Sequence, residues 1–171
     1  DLAIAGGRIA AIGDLRTAEA AQVVNCHGLH VMPGLIDPHV HLRDPGDPKV
    51  ETIATGTKAA VLGGLATVFD MPNTAPAITD AVRLDAKRAG LAGAAWCDVG
   101  LYVGATKTNI AALAELEHQP NVCAIKVFAG SSTGDIAAAA AVYEGVLGAA
   151  EQQQEQREAL IAGAVAAVSP G

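Results

Sequence analysis

The chain has 171 residues, of which 51% are apolar but only 3% aromatic, and a formal net charge of −7. That length suits one domain with a core and falls short of a complete eight-stranded α/β barrel of about 250 residues. The acidic balance, without a Lys/Arg stripe, argues against a nucleic-acid footprint, and no apolar run reaches the ~18 residues of a membrane span. Cys26, Cys97 and Cys123 are scattered and odd in number, which is no disulfide framework. No signal peptide is visible, and a reduced, cytoplasmic setting is expected.

Residues 1–15, DLAIAGGRIAAIGDL, predict two short strands around Gly6-Gly7, a pair that supplies the positive φ of a tight hairpin. No GKS or GKT follows, so this is not a phosphate loop. The chain begins without Met, in mid-strand by its pattern. After a polar link, GLHVMPGLIDPHVHLR at 28–43 predicts a buried strand ahead of His39. Apolar strand-like runs then fall at 34–42, 65–71, 99–104 and 122–128. Helix-like segments lie between them, over Glu51–Leu62, Asp80–Leu91 and Asn109–Glu117. Thr79/Asp80 is a capping pair, Gly63-Gly64 a stop, and Pro120 bars continuation of the third segment. Strand and helix alternating at about thirty residues is the signature of βαβ units on a parallel sheet, and four units are expected.

After Asp135 the rhythm fails. Five alanines at 137–141, EQQQEQRE at 151–158 and an Ala/Val-rich 159–168 predict helices with no clear strand between them. The expected division is therefore 1–30, 31–135 and a helical tail at 136–171.

The chemistry concentrates in DPHVHLR at 37–43. Side chains alternate faces along a strand, so Asp37, His39, His41 and Arg43 would share one face while Val40 and Leu42 oppose them. Two imidazoles at i and i+2 can converge on one zinc ion; the bland alternative is a strand with two exposed histidines. Asp44-Pro45-Gly46 ends the strand, placing the pair at its C-terminal end, where α/β barrels hold their active sites. Lys126 interrupts an apolar strand, where an unpaired ammonium is costly. It is either a lysine of altered chemistry or one that snorkels from the strand end. His27 and His30 lie in a linker, and His118 suits a helix C-terminus as a cation. Cys123 and Trp96 are expected to pack, Asp70 to cap a loop, and GSSTG at 130–134 to form a flexible loop rather than an anion nest.

PGLIDPHVHLRDPG at 33–46 resembles the first barrel strand of the amidohydrolase superfamily, and of dihydroorotases in particular. DMPNTAPAITD at 70–80 resembles their second-strand loop, and AIKVFAGSSTGD at 124–135 their fourth strand. The hairpin at 1–15 resembles the start of the small β-sandwich that flanks such barrels. The implied fold is a partial TIM-type (β/α)8 barrel of about four βα units behind that hairpin. The resemblance covers residues 1–135 and does not extend to the tail. Arg43 and the MPNT motif set the chain apart from hydantoinases and allantoinases, which share the histidine pair.

The resemblance implies a binuclear zinc centre, with His39 and His41 as metal ligands. It implies that Lys126, carboxylated by CO2, bridges the two metals. Arg43 and Asn73 would hold the substrate carboxylate, a task suited to a bidentate guanidinium and a neutral amide donor. The implied reaction is reversible hydrolysis of dihydroorotate to N-carbamoyl-aspartate, a step of pyrimidine biosynthesis. Members of the family need two further histidines and an Asp general base from later strands. After Lys126 the chain has no histidine, and Asp135 is its only Asp, so no catalytic base is identified and the 171 residues alone are expected to be inactive. Three readings result: an incomplete dihydroorotase, a noncatalytic partner of aspartate transcarbamoylase, or an amidohydrolase of hydantoinase or allantoinase type. The first is preferred, with a small-molecule substrate and assembly into a homo-oligomer.

Overall fold

Gly6 and Gly7 both take positive φ, 57° and 72°, the pairing a two-residue hairpin turn needs to match the twist of its strands. They join β1 (Leu2–Ala5) to β2 (Arg8–Ile12) in an antiparallel pair, with a register shift between Ala3 and Ile4. The structure, a computed structural model, describes residues 1–128. It divides into two units, Asp1–Pro33 and one that opens at Gly34. In the first unit Ile4, Ile9 and Ile12 are exposed, because a two-stranded sheet has no second layer to bury them.

The second unit is built on the alternation read from the sequence. Its elements are β3 (Leu35–Val40), α1 (Ile53–Leu62), β4 (Leu65–Asp70), α2 (Ala81–Leu91), β5 (Asp98–Gly104), α3 (Leu113–Glu117) and β6 (Val122–Lys126). A 3-10 turn at Ile110–Ala112 precedes α3, so the segment expected as one helix from Asn109 is only partly α-helical. The four strands are parallel in the order β3-β4-β5-β6. Val99, Leu101 and Val103 line one face of β5 at period two and join Val68, Leu84 and Leu113 in the core between sheet and helices. Phe69 and Tyr102 meet edge-on with ring centroids 6.4 Å apart, and the Phe69 ring lies where a Cβ on Gly100 would stand. No helix among the described residues is long and apolar enough to cross a membrane.

Two strand expectations are corrected. β3 was expected to be buried, yet Leu35 and Ile36 are 52% and 59% exposed. Among the described residues β3 is an edge strand with β4 as its one neighbour. The strand also ends at Val40 rather than continuing through Leu42. Arg43 has φ 55°, a left-handed conformation that breaks the alternation. Arg43 therefore does not share a strand face with His39. The tail at 136–171 and the GSSTG loop lie outside the described residues.

Candidate active site

In a parallel sheet every strand ends on the same edge, and the candidate residues gather there. His39 lies in β3 and His41 just follows its last residue, Val40. Asn73 lies three residues beyond Asp70, the end of β4. Lys126 is the last residue of β6, paired in register with Gly104 at the end of β5.

His39 and His41 face each other with ring centroids 5.3 Å apart and planes tilted by 58°. A tetrahedral ion bonded at about 2.0–2.1 Å to one nitrogen of each ring would set the centroids about 5 Å apart. The spacing of the pair thus fits two nitrogen ligands on one ion. His41 Nδ1 lies 2.7 Å from Asn73 Oδ1. With that carbonyl oxygen as acceptor, Nδ1 carries the proton and Nε2 keeps its lone pair, the tautomer a metal ligand requires. The amide nitrogen of Asn73 has no partner among the described residues and remains a donor. The Asp37 carboxylate accepts the His39 N–H at 2.9 Å and steadies the strand end.

Two of the expected partners, Arg43 and Lys126, are not joined directly to the pair. Among the described residues no hydrogen bond links Arg43 or Lys126 to either histidine, and no group of three His, Cys, Asp or Glu side chains is placed to hold a metal. Lys126 is half-buried, with its ammonium 5.2 Å from the centre of the Phe128 ring, a favourable cation–π contact.

The loops beyond β3 and β4 are stitched together. Met71 N–H donates to Val40 C=O at 2.9 Å, and Ala75 N–H donates to Pro45 C=O at 3.0 Å. Gly46 has φ 138°, and a Cβ there would stand 2.9 Å from the Ala75 nitrogen. Asp70, expected to be a simple loop cap, does more. Its Oδ1 accepts the Leu42 N–H at 2.9 Å, and its Oδ2 lies 2.7 Å from Lys87 Nζ. That second contact falls outside hydrogen-bonding angles, so it is an ion pair. Both side chains are buried, and Lys87 also donates to the Asp44 carbonyl. Sequence reasoning passed over Lys87. The signal was its place on α2, three residues after Leu84 and four before Leu91, which puts a lysine on the apolar stripe.

The remaining candidates have ordinary roles. His118 Nδ1 bonds the Ala114 carbonyl at 2.7 Å. Cys123 donates to the Leu101 carbonyl, and burial pushes its thiol pKa up, away from nucleophilic use. Trp96 is 60% exposed beneath the Lys58 ammonium instead of packing in the core.

Residues 30–168 match the Amidohydrolase family. The allantoinase of Desulfitobacterium hafniense (strain Y51) is 38% identical over 130 residues, 75% of this chain and 29% of the allantoinase. The dihydroorotase of Bacillus pumilus (strain SAFR-032) is 53% identical over 76 residues, 44% of this chain and 18% of the dihydroorotase. The solved L-hydantoinase (dihydropyrimidinase) of Arthrobacter aurescens aligns with a TM-score of 0.78 at 25% identity, covering 85% of this chain and 33% of the hydantoinase. The chain thus spans about a third or less of the length of these relatives. The parallel sheet with its helices is a partial α/β barrel, and the chain belongs to the amidohydrolase family.

Proposed function

We propose that this chain carries the metal-ligating and substrate-gripping part of a cyclic-amide hydrolase of dihydroorotase type. In that reading the whole enzyme interconverts dihydroorotate and N-carbamoyl-aspartate in pyrimidine biosynthesis, as a cytoplasmic homo-oligomer. The observation that carries the reading is the facing His39–His41 pair at a strand's C-terminal end, with His41 Nδ1 held by Asn73. When bound, zinc supplies a Lewis acid and a water of lowered pKa. His39 and His41 present neutral imidazoles to it. Lys126, once carboxylated, contributes an anionic oxygen donor from the end of β6. Asn73 serves twice: its oxygen fixes the His41 tautomer and its amide nitrogen donates to the substrate carboxylate. Arg43, in the loop beside it, offers that carboxylate a bidentate fork. Among the described residues no carboxylate stands beside the histidine pair as a general base, and in this reading proton transfer to the ring nitrogen falls to a residue beyond them.

A second reading, hydrolysis of allantoin, is favoured by the length of the allantoinase match, 130 residues against 76 for the dihydroorotase. Chemistry separates the two. Dihydroorotate carries a carboxylate for Arg43 and Asn73 to hold, and allantoin carries none. Parallel assays of the catalytically competent full-length protein on both substrates test this. Dihydroorotate turnover that is lost in His39→Ala is the expected result. Turnover of allantoin alone would overturn the dihydroorotase reading.

A further inference from the structure

Arg43 holds a backbone conformation that its own side chain disfavours. Its φ of 55° crowds the Cβ against the following carbonyl, and such strain persists only where the surroundings over-determine it. Two buried side chains do so from either flank. Asp70, at the end of β4, accepts the Leu42 N–H at 2.9 Å. Lys87, in α2, donates to the Asp44 carbonyl. The two meet at 2.7 Å, with side chains 0% and 1% exposed. The Asp47 N–H closes the turn on the Arg43 carbonyl at 2.8 Å. The Arg43 guanidinium, by contrast, has no hydrogen-bond or ion-pair partner among the described residues. The backbone is held while the charged head is left available.

A buried ion pair is a poor choice for stability alone, since an apolar pair of similar volume often does as well or better. This pair also hydrogen-bonds the Leu42 N–H and the Asp44 carbonyl, contacts that apolar side chains cannot make. We propose that the Asp70–Lys87 pair is a positioning clamp for Arg43, gripping the peptide groups on both sides of it so that its guanidinium is presented at the rim. The clamp is read from contacts alone; its consequence for catalysis rests on the reading of Arg43 as the grip on the substrate carboxylate.

Lys87→Met alone would leave the Asp70 charge buried and unpaired, and so risks misfolding. Asp70→Asn/Lys87→Met removes both charges, keeps an acceptor for Leu42 and lacks only the donor to Asp44. Hydrogen exchange of the 42–47 segment, read by mass spectrometry, should rise about tenfold or more in the folded double variant. In the catalytically competent full-length protein its KM for dihydroorotate should rise about tenfold, with kcat held within about twofold. That increase should vanish when the double variant is built on Arg43→Ala, because both changes then remove the same interaction. Unchanged exchange would overturn the clamp. Raised exchange with unchanged KM, or KM effects that simply multiply with Arg43→Ala, would overturn its role in presenting Arg43. If Arg43→Ala itself leaves KM unchanged, the substrate reading fails instead, and the exchange measurement still decides the clamp.

Discussion

A guanidinium and an ammonium carry the same charge but differ in shape, and Arg43 is where that difference should be felt. A planar fork meets a carboxylate through two parallel hydrogen bonds, whereas a lysine offers a single point charge. Arg43→Lys should therefore raise KM for dihydroorotate strongly, by the equivalent of about 1.5–3 kcal/mol. Steady-state kinetics checks this, and an unchanged KM removes Arg43 from the site. The thiols provide a pH test. Burial raises the pKa of both Cys97 and Cys123, and the neighbouring Asp98 charge adds to the rise at Cys97. Their thiolate fraction at pH 8 is then below that of an ordinary thiol, so alkylation followed by mass spectrometry should run slower than for a model cysteine peptide. The linkage has a definite sign: the folded state binds these protons more tightly, so stability falls as pH rises above the unfolded thiol pKa. An alkylation midpoint at or below the ordinary value would contradict the burial seen for these side chains. At this scale the motif residues were legible because HxH and MPNT are contiguous in sequence. The Asp70–Lys87 pair was not, because its partners are seventeen positions apart and only the packing of α2 joins them.

Helix starts are legible in the sequence, since caps are local chemistry. The Thr79/Asp80 pair resolves to Asp80, whose side chain accepts the Arg83 N–H at 2.8 Å at the first turn of α2. At α1 the cap is Thr52, one residue inside the expected start, in a reciprocal capping box with Thr55. Asp80→Ala should destabilise the fold by about 0.5–2 kcal/mol, with Asp80→Asn recovering most of the loss. Thermal unfolding of the two variants provides the measurement; equal losses would show that charge rather than capping is what Asp80 supplies. The end of β3 differs from what the same local logic predicts. Alternation in DPHVHLR looks like strand through Arg43, but a periodic pattern does not reveal the backbone turn imposed by contacts with β4 and α2.

For the chain as a whole, ligand number sets what can be bound. His39 and His41 offer two neutral nitrogens, and Lys126 adds an oxygen only after carboxylation, which is labile unless a metal holds it. The 171-residue chain is therefore expected to bind at most one zinc ion, weakly, to keep Lys126 unmodified and to show no dihydroorotase turnover. Metal analysis of the purified chain, intact mass and a hydrolysis assay check all three. Two tightly held zinc ions per chain would mean that residues in 136–171 supply the missing ligands.

The sequence by itself determined the alternation of strands and helices, the direction of the sheet and the identity of the residues at its rim. Each of these follows from short-range periodicity, from capping chemistry or from motifs only a few residues long. Tertiary structure alone decided which of those residues meet. His41 finds Asn73 thirty-two positions away because parallel pairing of β3 with β4 aligns their ends. Arg43 leaves the strand face because a carboxylate from β4 and an ammonium from α2 hold its neighbours. Contacts of that kind depend on how elements pack, and packing is a property of the assembled sheet and helices that no window of sequence contains.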